Sequence, residues 1–263
     1  MQTNKSFTDS NFTSMLNSYN YNLHPGDIVA GTIFHQEKEN LIVDIGAKTA
    51  GYLPHEEIIS IYHAKPSIIY YLQNETREFF ILAYNKHSQQ LILSIKRLEY
   101  IRAWKRIKQI ETEDIILNIK VIKINKGGLI VNLEGLQGFV PKSHVAIDIN
   151  KESVENKYIK CKLLLANEKT NQLILSHKKA IISISSSKFK IGKIVTGKII
   201  KTKAYGVFIQ IYGILALLHI SEVTSKNIKD INSIFSIGDK IKVKILHIDM
   251  KQGRLSVSQR NID

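Results

Sequence analysis

The chain reads LILSIKR at 91–97, LILSHKK at 173–179 and RLSVSQR at 254–260. Placing Ser94, Ser176 and Ser258 in register gives a spacing of 82 residues twice over, and a fixed period of that kind marks a repeated structural unit. The period extends upstream. Each unit opens with an apolar run, GDIVAGTIF from Gly26, DIILNIKVI from Asp114 and GKIVTGKII from Gly192. Each continues with a second run, a tight turn and a short third run: LIVDIGAKTAGYLP from Leu41, LIVNLEGLQGFVP from Leu129 and VFIQIYGILALLH from Val207.

The repeat divides the 263 residues into three units of roughly 70–80 residues, near the lower limit at which one core is stable. The expected organisation is an Asn-, Ser- and Thr-rich mobile segment over 1–22, repeats over 23–96, 113–180 and 190–263, and linkers over 97–112 and 181–189. The first linker, within RLEYIRAWKRIKQIE, spaces Leu98, Ile101, Trp104, Ile107 and Ile110 every third residue. That predicts an amphipathic helix packing its apolar stripe on a barrel. The second linker is short and Ser-rich, and reads as the more flexible of the two.

Within the third repeat Val207, Ile209 and Ile211 alternate with Phe208, Gln210 and Tyr212, the period of a strand with one buried face. Flanking runs KIVTGKIIK and DKIKVKILHI alternate likewise, Gly206 and Gly213 bracket the second strand, and Ser221 to Asp230 is a polar stretch for a short helix or loop. Three strands, a crossover and two more strands describe a five-stranded Greek-key barrel of the oligonucleotide-binding (OB-fold) type. The fold class is therefore mainly β, three such barrels in tandem with a helix between the first and second. On this reading LILS is the last strand of a barrel, with Leu91 and Leu93 in the core and Ser94 leaving it. No His and carboxylate recur with the serine, so nothing suggests a catalytic role.

Composition narrows the function. The longest apolar runs are broken by Lys, Asp or Gly within ten residues, far short of the roughly 20 that span a bilayer. A single cysteine, Cys161, and nine scattered histidines give neither a disulfide nor a metal-ligand spacing. No cofactor, metal, membrane or small-molecule substrate is expected, nor any catalytic residue. The net charge of +14 is uneven: from Lys188 to the C-terminus stand 14 basic and five acidic residues. Such a field attracts polyanions. With Val207, Ile209 and Ile211 turned inward, Phe208 and Gln210 face solvent, and Tyr205 stands just before the strand. Lys198, Lys201 and Lys203 precede them on the adjoining strand, giving an aromatic platform in a cationic groove, the combination that binds single-stranded nucleic acid. The competing reading is a bulge at Gly206 that swaps the faces and buries Phe208.

The stretch KIVTGKIIKTKAYGVFIQIYGILALLHISEV, with GDKIKVKILHIDMKQGRLSVSQR after it, resembles the RNA-binding repeat of the ribosomal protein S1 family. The resemblance implies RNA contacts from two aromatics, a His, an Asp and an Arg, which fall here on Tyr205, Phe208, His219, Asp249 and Arg254. Over the whole chain, YNYNLHPGDIVAGTIF, NETREFFIL, LEYIRAWKR and NKGGLIVNLEGLQGFVP resemble the three-repeat cyanobacterial and plastid form of that family. At the same five positions the first repeat has Glu39, Ile42, Pro54, Asn85 and Gln90, and the second Gly127, Ile130, Pro141, Asn167 and Gln172. Neither has an aromatic, a His or an Arg there, although Lys126 with Gly127 and Gly128 suits a phosphate.

The resemblance therefore implies a non-enzymatic constituent of the small ribosomal subunit that binds single-stranded mRNA and assists translation initiation. Its third repeat is the main RNA platform, and its first two dock on ribosomal proteins and rRNA. A general RNA chaperone, or an RNA-processing or transcription factor detached from the ribosome, is the alternative. A ribonuclease would need a further domain with clustered carboxylates. The bias toward Ile, Lys and Asn, with the cyanobacterial likeness, implies a plastid, ribosome-associated location.

Overall fold

The computed structural model describes residues 23–47, 49–58, 75–85, 90–146, 154–223 and 231–262. The segment 1–22, expected to be mobile, and most of the polar stretch 221–230 lie outside them. Among the described residues the chain forms three closed five-stranded barrels and two α-helices, as the alternating pattern predicts. Its backbone packing divides into two compact units, Met1–Arg102 and Ala103–Asp263.

The first unit holds β1 (Ile28–Gln36), β2 (Asn40–Asp44), β3 (Gly51–Pro54), β4 (Thr76–Asn85) and β5 (Gln90–Ser94), closed in the order β1-β2-β3-β5-β4. β3 and β5 run parallel and the other pairings are antiparallel, the Greek-key arrangement. Ile33, Leu41, Val43, Leu53, Phe79, Ile81 and Leu93 fill its core at 0% exposure.

Helix α1 (Ile95–Thr112) follows β5 directly. Leu98, Trp104, Ile107 and Ile110 of the sequence-predicted stripe are buried. In the first unit its Arg102 pairs with Glu78 of β4. In the second unit Arg106 pairs with Glu134 (3.2 Å) and Lys108 with Glu168.

The second unit continues with β6 (Leu117–Ile124), β7 (Gly128–Leu133), β8 (Leu136–Pro141), β9 (Tyr158–Asn167) and β10 (Gln172–Ser176), closed in the order β10-β8-β7-β6-β9. Cys161 is buried, and its thiol is pushed up to about 12 by that burial. It is a core residue of the second barrel. Helix α2 (His177–Ile184) begins within the expected second repeat and runs into the segment 181–189 read as a flexible linker. Ser-rich composition misleads here because Ala180 and Ile182 are buried, and Ile182 and Phe189 belong to the third core. The third barrel comprises β11 (Ile194–Lys203), β12 (Gly206–Ile211), β13 (Ile214–His219), β14 (Lys240–Asp249) and β15 (Arg254–Ser258), in the order β11-β12-β13-β15-β14.

The recurrent serine is buried rather than solvent-facing, contrary to the sequence expectation: Ser94 and Ser176 are 0% exposed and Ser258 2%. Each hydroxyl accepts a backbone N–H of the segment that follows, from Arg97 (2.8 Å), Lys179 (3.1 Å) and Arg260 (3.0 Å). Serine is thus kept at that point because it is small enough for the barrel end and satisfies a donor that the strand no longer pairs. Ser94 also donates to Glu57 (2.5 Å), and Ser176 lies 3.0 Å from His144 Nδ1, each partner being in the 3₁₀ turn that follows the barrel's third strand.

Candidate nucleic-acid interface

β12 pairs with β13 in unbroken register from Gly206↔His219 to Ile211↔Ile214. Val207, Ile209 and Ile211 are fully buried, and Phe208 and Gln210 lie partly exposed between them. Gly206 is therefore no bulge. It is glycine because a Cβ there would come within 2.5 Å of the Leu218 carbonyl oxygen.

The irregularities lie elsewhere. β11 pairs Ile199↔Ile209 and then Lys201↔Phe208, so an extra residue, Ile200, is inserted opposite β12. Strict alternation from the buried Ile199 would turn Lys201 and Lys203 into the core. The bulge reverses the parity, and Lys198, Lys201 and Lys203 are all exposed. β14 has the same device, pairing Ile245↔Val257 and then His247↔Ser256 across an extra Leu246.

These registers join into a continuous outer row: Lys201 opposite Phe208, Phe208 opposite Leu217, Leu217 opposite Ser256, and Ser256 opposite His247. Two residues along the strands, about 6.6 Å away, Lys203, Gly206 and His219 face one another on one side, with Tyr205 in the β11–β12 turn. Two residues the other way lie Lys198, Gln210 and Leu215, and, across β15 and β14, Arg254 opposite Asp249. The eight residues chosen from sequence thus share one face over three rows. Leu217, Ser256 and His247 complete it and were missed. For His247 the sequence signal runs the wrong way, since alternation from Val243 and Ile245 places it inside.

Tyr205, 50% exposed, stands edge-on to Phe208 with ring centroids 6.2 Å apart and planes at 85°. His219 Nδ1 accepts the Ser221 N–H (3.2 Å), so its neutral ring carries the proton on Nε2. Asp249 is engaged otherwise: its Oδ1 accepts the N–H groups of Lys251 (2.9 Å) and Gln252 (3.0 Å) and closes the β14–β15 turn. Asp239 likewise accepts Ser236 N–H (3.3 Å). Among the described residues of the third barrel no carboxylate pairs with a lysine or arginine. In the second, Asp114 holds both Lys162 (2.6 Å) and Lys179 (2.9 Å), and those cations hold the Asp114 carboxyl below the usual carboxylate range. Charge on the third face is therefore left unneutralised, which is the condition for drawing in a polyanion.

Equivalent rows in the other barrels have different chemistry. They read His35, Ile42, Tyr52, Ile92, Ala83 in the first and Lys123, Ile130, Phe139, Ile174, Leu165 in the second. An aromatic is present in each, one strand over from Phe208, at the place of Leu217. In the second barrel the Phe139 ring lies against Gly127 and Gly128, with Cζ 3.4 and 3.0 Å from where their Cβ atoms would be. The sequence carried this signal in GYLP and GFVP, at the offset of ALLH.

The S1 RNA binding domain model matches residues 113–178 and 188–260. Along 98% of its length the chain is 50% identical to the small ribosomal subunit protein bS1c of Pyropia yezoensis, covering 98% of that protein. It belongs to the ribosomal S1 protein family. Identity to other S1 proteins is 39% for bS1 of Synechococcus sp., over 83% of that protein, and 35% for bS1c of Spinacia oleracea, over 62% of it, each match covering 98% of this chain. Membership of the S1 family makes the chain an RNA-binding ribosomal protein rather than an enzyme, the class that its unpaired cations and exposed rings suit.

Proposed function

We infer that the protein works on the small subunit of the plastid ribosome, where its third barrel holds single-stranded mRNA during initiation and its first two repeats dock on ribosomal protein and rRNA. The repeats are taken as 23–96, 113–180 and 190–263. The observation that carries the reading is the outer row of β11, β12, β13, β15 and β14, with the exposed Tyr205 and the partly exposed Phe208 flanked by lysines that no carboxylate neutralises among the described residues. Bases stack on Tyr205 and Phe208 while Lys198, Lys201 and Lys203 meet phosphates. His219 Nε2–H and Arg254 supply donors at either side, and Asp249 fixes the hairpin that presents Arg254. Duplex RNA, its bases already stacked, is a poorer ligand for such a face.

The test uses the full chain carrying Tyr205→Ala and Phe208→Ala together. Expected is retained co-sedimentation with small subunits in a sucrose gradient and strongly reduced binding of unstructured oligouridylate. Loss of subunit association with oligouridylate binding intact would refute the division. Failure of the wild-type protein to co-sediment would favour a factor detached from the ribosome.

A further inference from the structure

The platform ends at the β14–β15 hairpin, and that hairpin meets the second barrel's margin. Gly253 there has a φ of 61°, and a Cβ on it would come within 2.6 Å of Lys178 Cβ and 3.0 Å of its Cδ. Lys178, the second residue of α2, is only 7% exposed, and lysines are seldom buried without a partner. Its neighbours Lys162 and Lys179 share Asp114, whereas Lys178 has no carboxylate or hydrogen-bond acceptor among the described residues.

What stands beside Lys178 is more positive charge. Arg254 opens β15 next to Gly253, close enough for its charge to act on both Lys178 and His144. His144, in the 3₁₀ turn after β8, is held with Nδ1 3.0 Å from Ser176 Oγ. Burial first and Arg254 second push the Lys178 ammonium below its ordinary range. Burial, Lys178 and Arg254 do the same to His144. Three elements, β15, α2 and the turn after β8, thus bring a guanidinium, the ammonium of a lysine whose stem is buried, and an imidazole to one margin, with no anion paired to the lysine among the described residues. Such an arrangement is costly when empty, and an anion at its centre relieves the cost.

We propose that Lys178, Arg254 and His144 form a second anion site, at the junction of the second and third barrels, which takes a phosphodiester of single-stranded RNA as the strand leaves the outer face of the third barrel. The inference rests on that platform reading and extends it. A forked guanidinium beside an ammonium matches phosphate oxygens in geometry and charge. Arg254 already belongs to the outer face, next along β15 from the residues that pair with β13, so the site adjoins the platform. The docking role of the second repeat is untouched, because the site uses its margin and not its Phe139 row.

The experiment measures binding of 5- and 15-nucleotide oligouridylates to the full-length protein against salt concentration. Lys178→Met keeps the buried stem and removes the charge; His144→Gln tests a more exposed member; Lys178→Arg restores the charge. Lys178→Met should weaken the 15-mer about 5- to 10-fold at 0.1 M salt and reduce the log-log salt slope by about one, leave the 5-mer unchanged, and be rescued by Lys178→Arg. His144→Gln should act in the same direction. Unchanged 15-mer affinity and slope in Lys178→Met would overturn the site, as would equal loss for both lengths with a lowered melting temperature. So would weakened sedimentation with small subunits while oligouridylate binding stays intact, which would assign the cluster to a ribosomal contact. Phe208→Ala, run in parallel, should weaken both lengths. If it weakens neither, the platform reading fails, and the Lys178 result still stands by itself.

Discussion

Replacing Phe208 by alanine separates a binding surface from a core in a way few substitutions here can. The ring lies on the outer row, opposite Lys201 on one side and Leu217 on the other, and edge-on to Tyr205 at 6.2 Å. Its removal costs the fold one aromatic pair, about 0.5–1.5 kcal/mol, with a modest contribution from the half-buried part of the ring. It costs RNA binding one stacked base, about 1–3 kcal/mol, which corresponds to a roughly 5- to 150-fold weaker complex. Its sequence neighbour supplies the control. Ile209 points the other way and is fully buried, so Ile209→Ala should lower stability by about 2–5 kcal/mol while changing the affinity of the folded fraction little. Fluorescence anisotropy with a labelled 15-nucleotide oligouridylate, and thermal melts of the same samples, read both quantities. The reasoning is refuted if Phe208→Ala destabilises as much as Ile209→Ala and leaves affinity where it was, because Phe208 would then be a core residue.

Lys201→Ala should weaken oligouridylate binding less than Phe208→Ala and reduce the log-log salt slope by about one, checked by anisotropy titrations between 50 and 300 mM salt (about that range brackets the screening regime). Acidification should also destabilise the second barrel. His177, whose Nδ1 lies 2.7 Å from the Lys160 carbonyl, and His144 are both held below the ordinary histidine value of 6.5, chiefly by burial. The unfolded chain therefore takes up protons first as pH falls, and the stability present above 6.5 is lost as pH drops through the folded values. His177→Asn, which keeps a donor for Lys160, should shrink the fall in melting temperature between pH 7.5 and 5, whereas Asp114, with its carboxyl held low by Lys162 and Lys179, adds a loss only once pH drops below 3.8.

The barrels were legible because each core strand alternates without interruption where it matters most. β12 is the clearest case, six residues in a single register in which Val207, Ile209 and Ile211 are core and Phe208 and Gln210 face out. The helix was legible for the same reason at a different period. What alternation hides is a change of parity inside a strand. Ile200 and Leu246 each add one residue opposite a single partner, and nothing in KIIKTK or KILHID announces it, since every residue there suits a strand. Lys201 and Lys203 of β11 reach the face only through the first bulge, and His247 only through the second. The end of β10 hid something else: a serine among lysines looks solvent-bound, and its burial follows from capping the α2 backbone, a role that becomes visible only once the helix is seen to start at His177.

Placement of the aromatics argues for different roles in the three barrels. Stacking a base and neutralising its phosphate at once requires ring and cation on adjacent strands, about 5 Å apart. The third barrel meets that condition, since Phe208 on β12 faces Lys201 on β11. In the second, the ring has moved one strand further, to Phe139 on β8, and Ile130 stands between it and Lys123. Beyond it the row continues with Ile174 and the exposed Leu165, where the third barrel has Ser256 and His247. The first barrel repeats the apolar version, with Ile42, Tyr52 and Ile92 in sequence and no lysine in the row. A face of that kind has area to bury and few donors for a phosphate, which suits a protein surface better than an RNA strand. The proposed division of labour therefore depends on a ring displaced by one strand as well as on charge. Moving it back, with Ile130→Phe and Phe139→Leu in the second barrel, is the sequence change that would bring a ring beside Lys123 and make that face resemble the third.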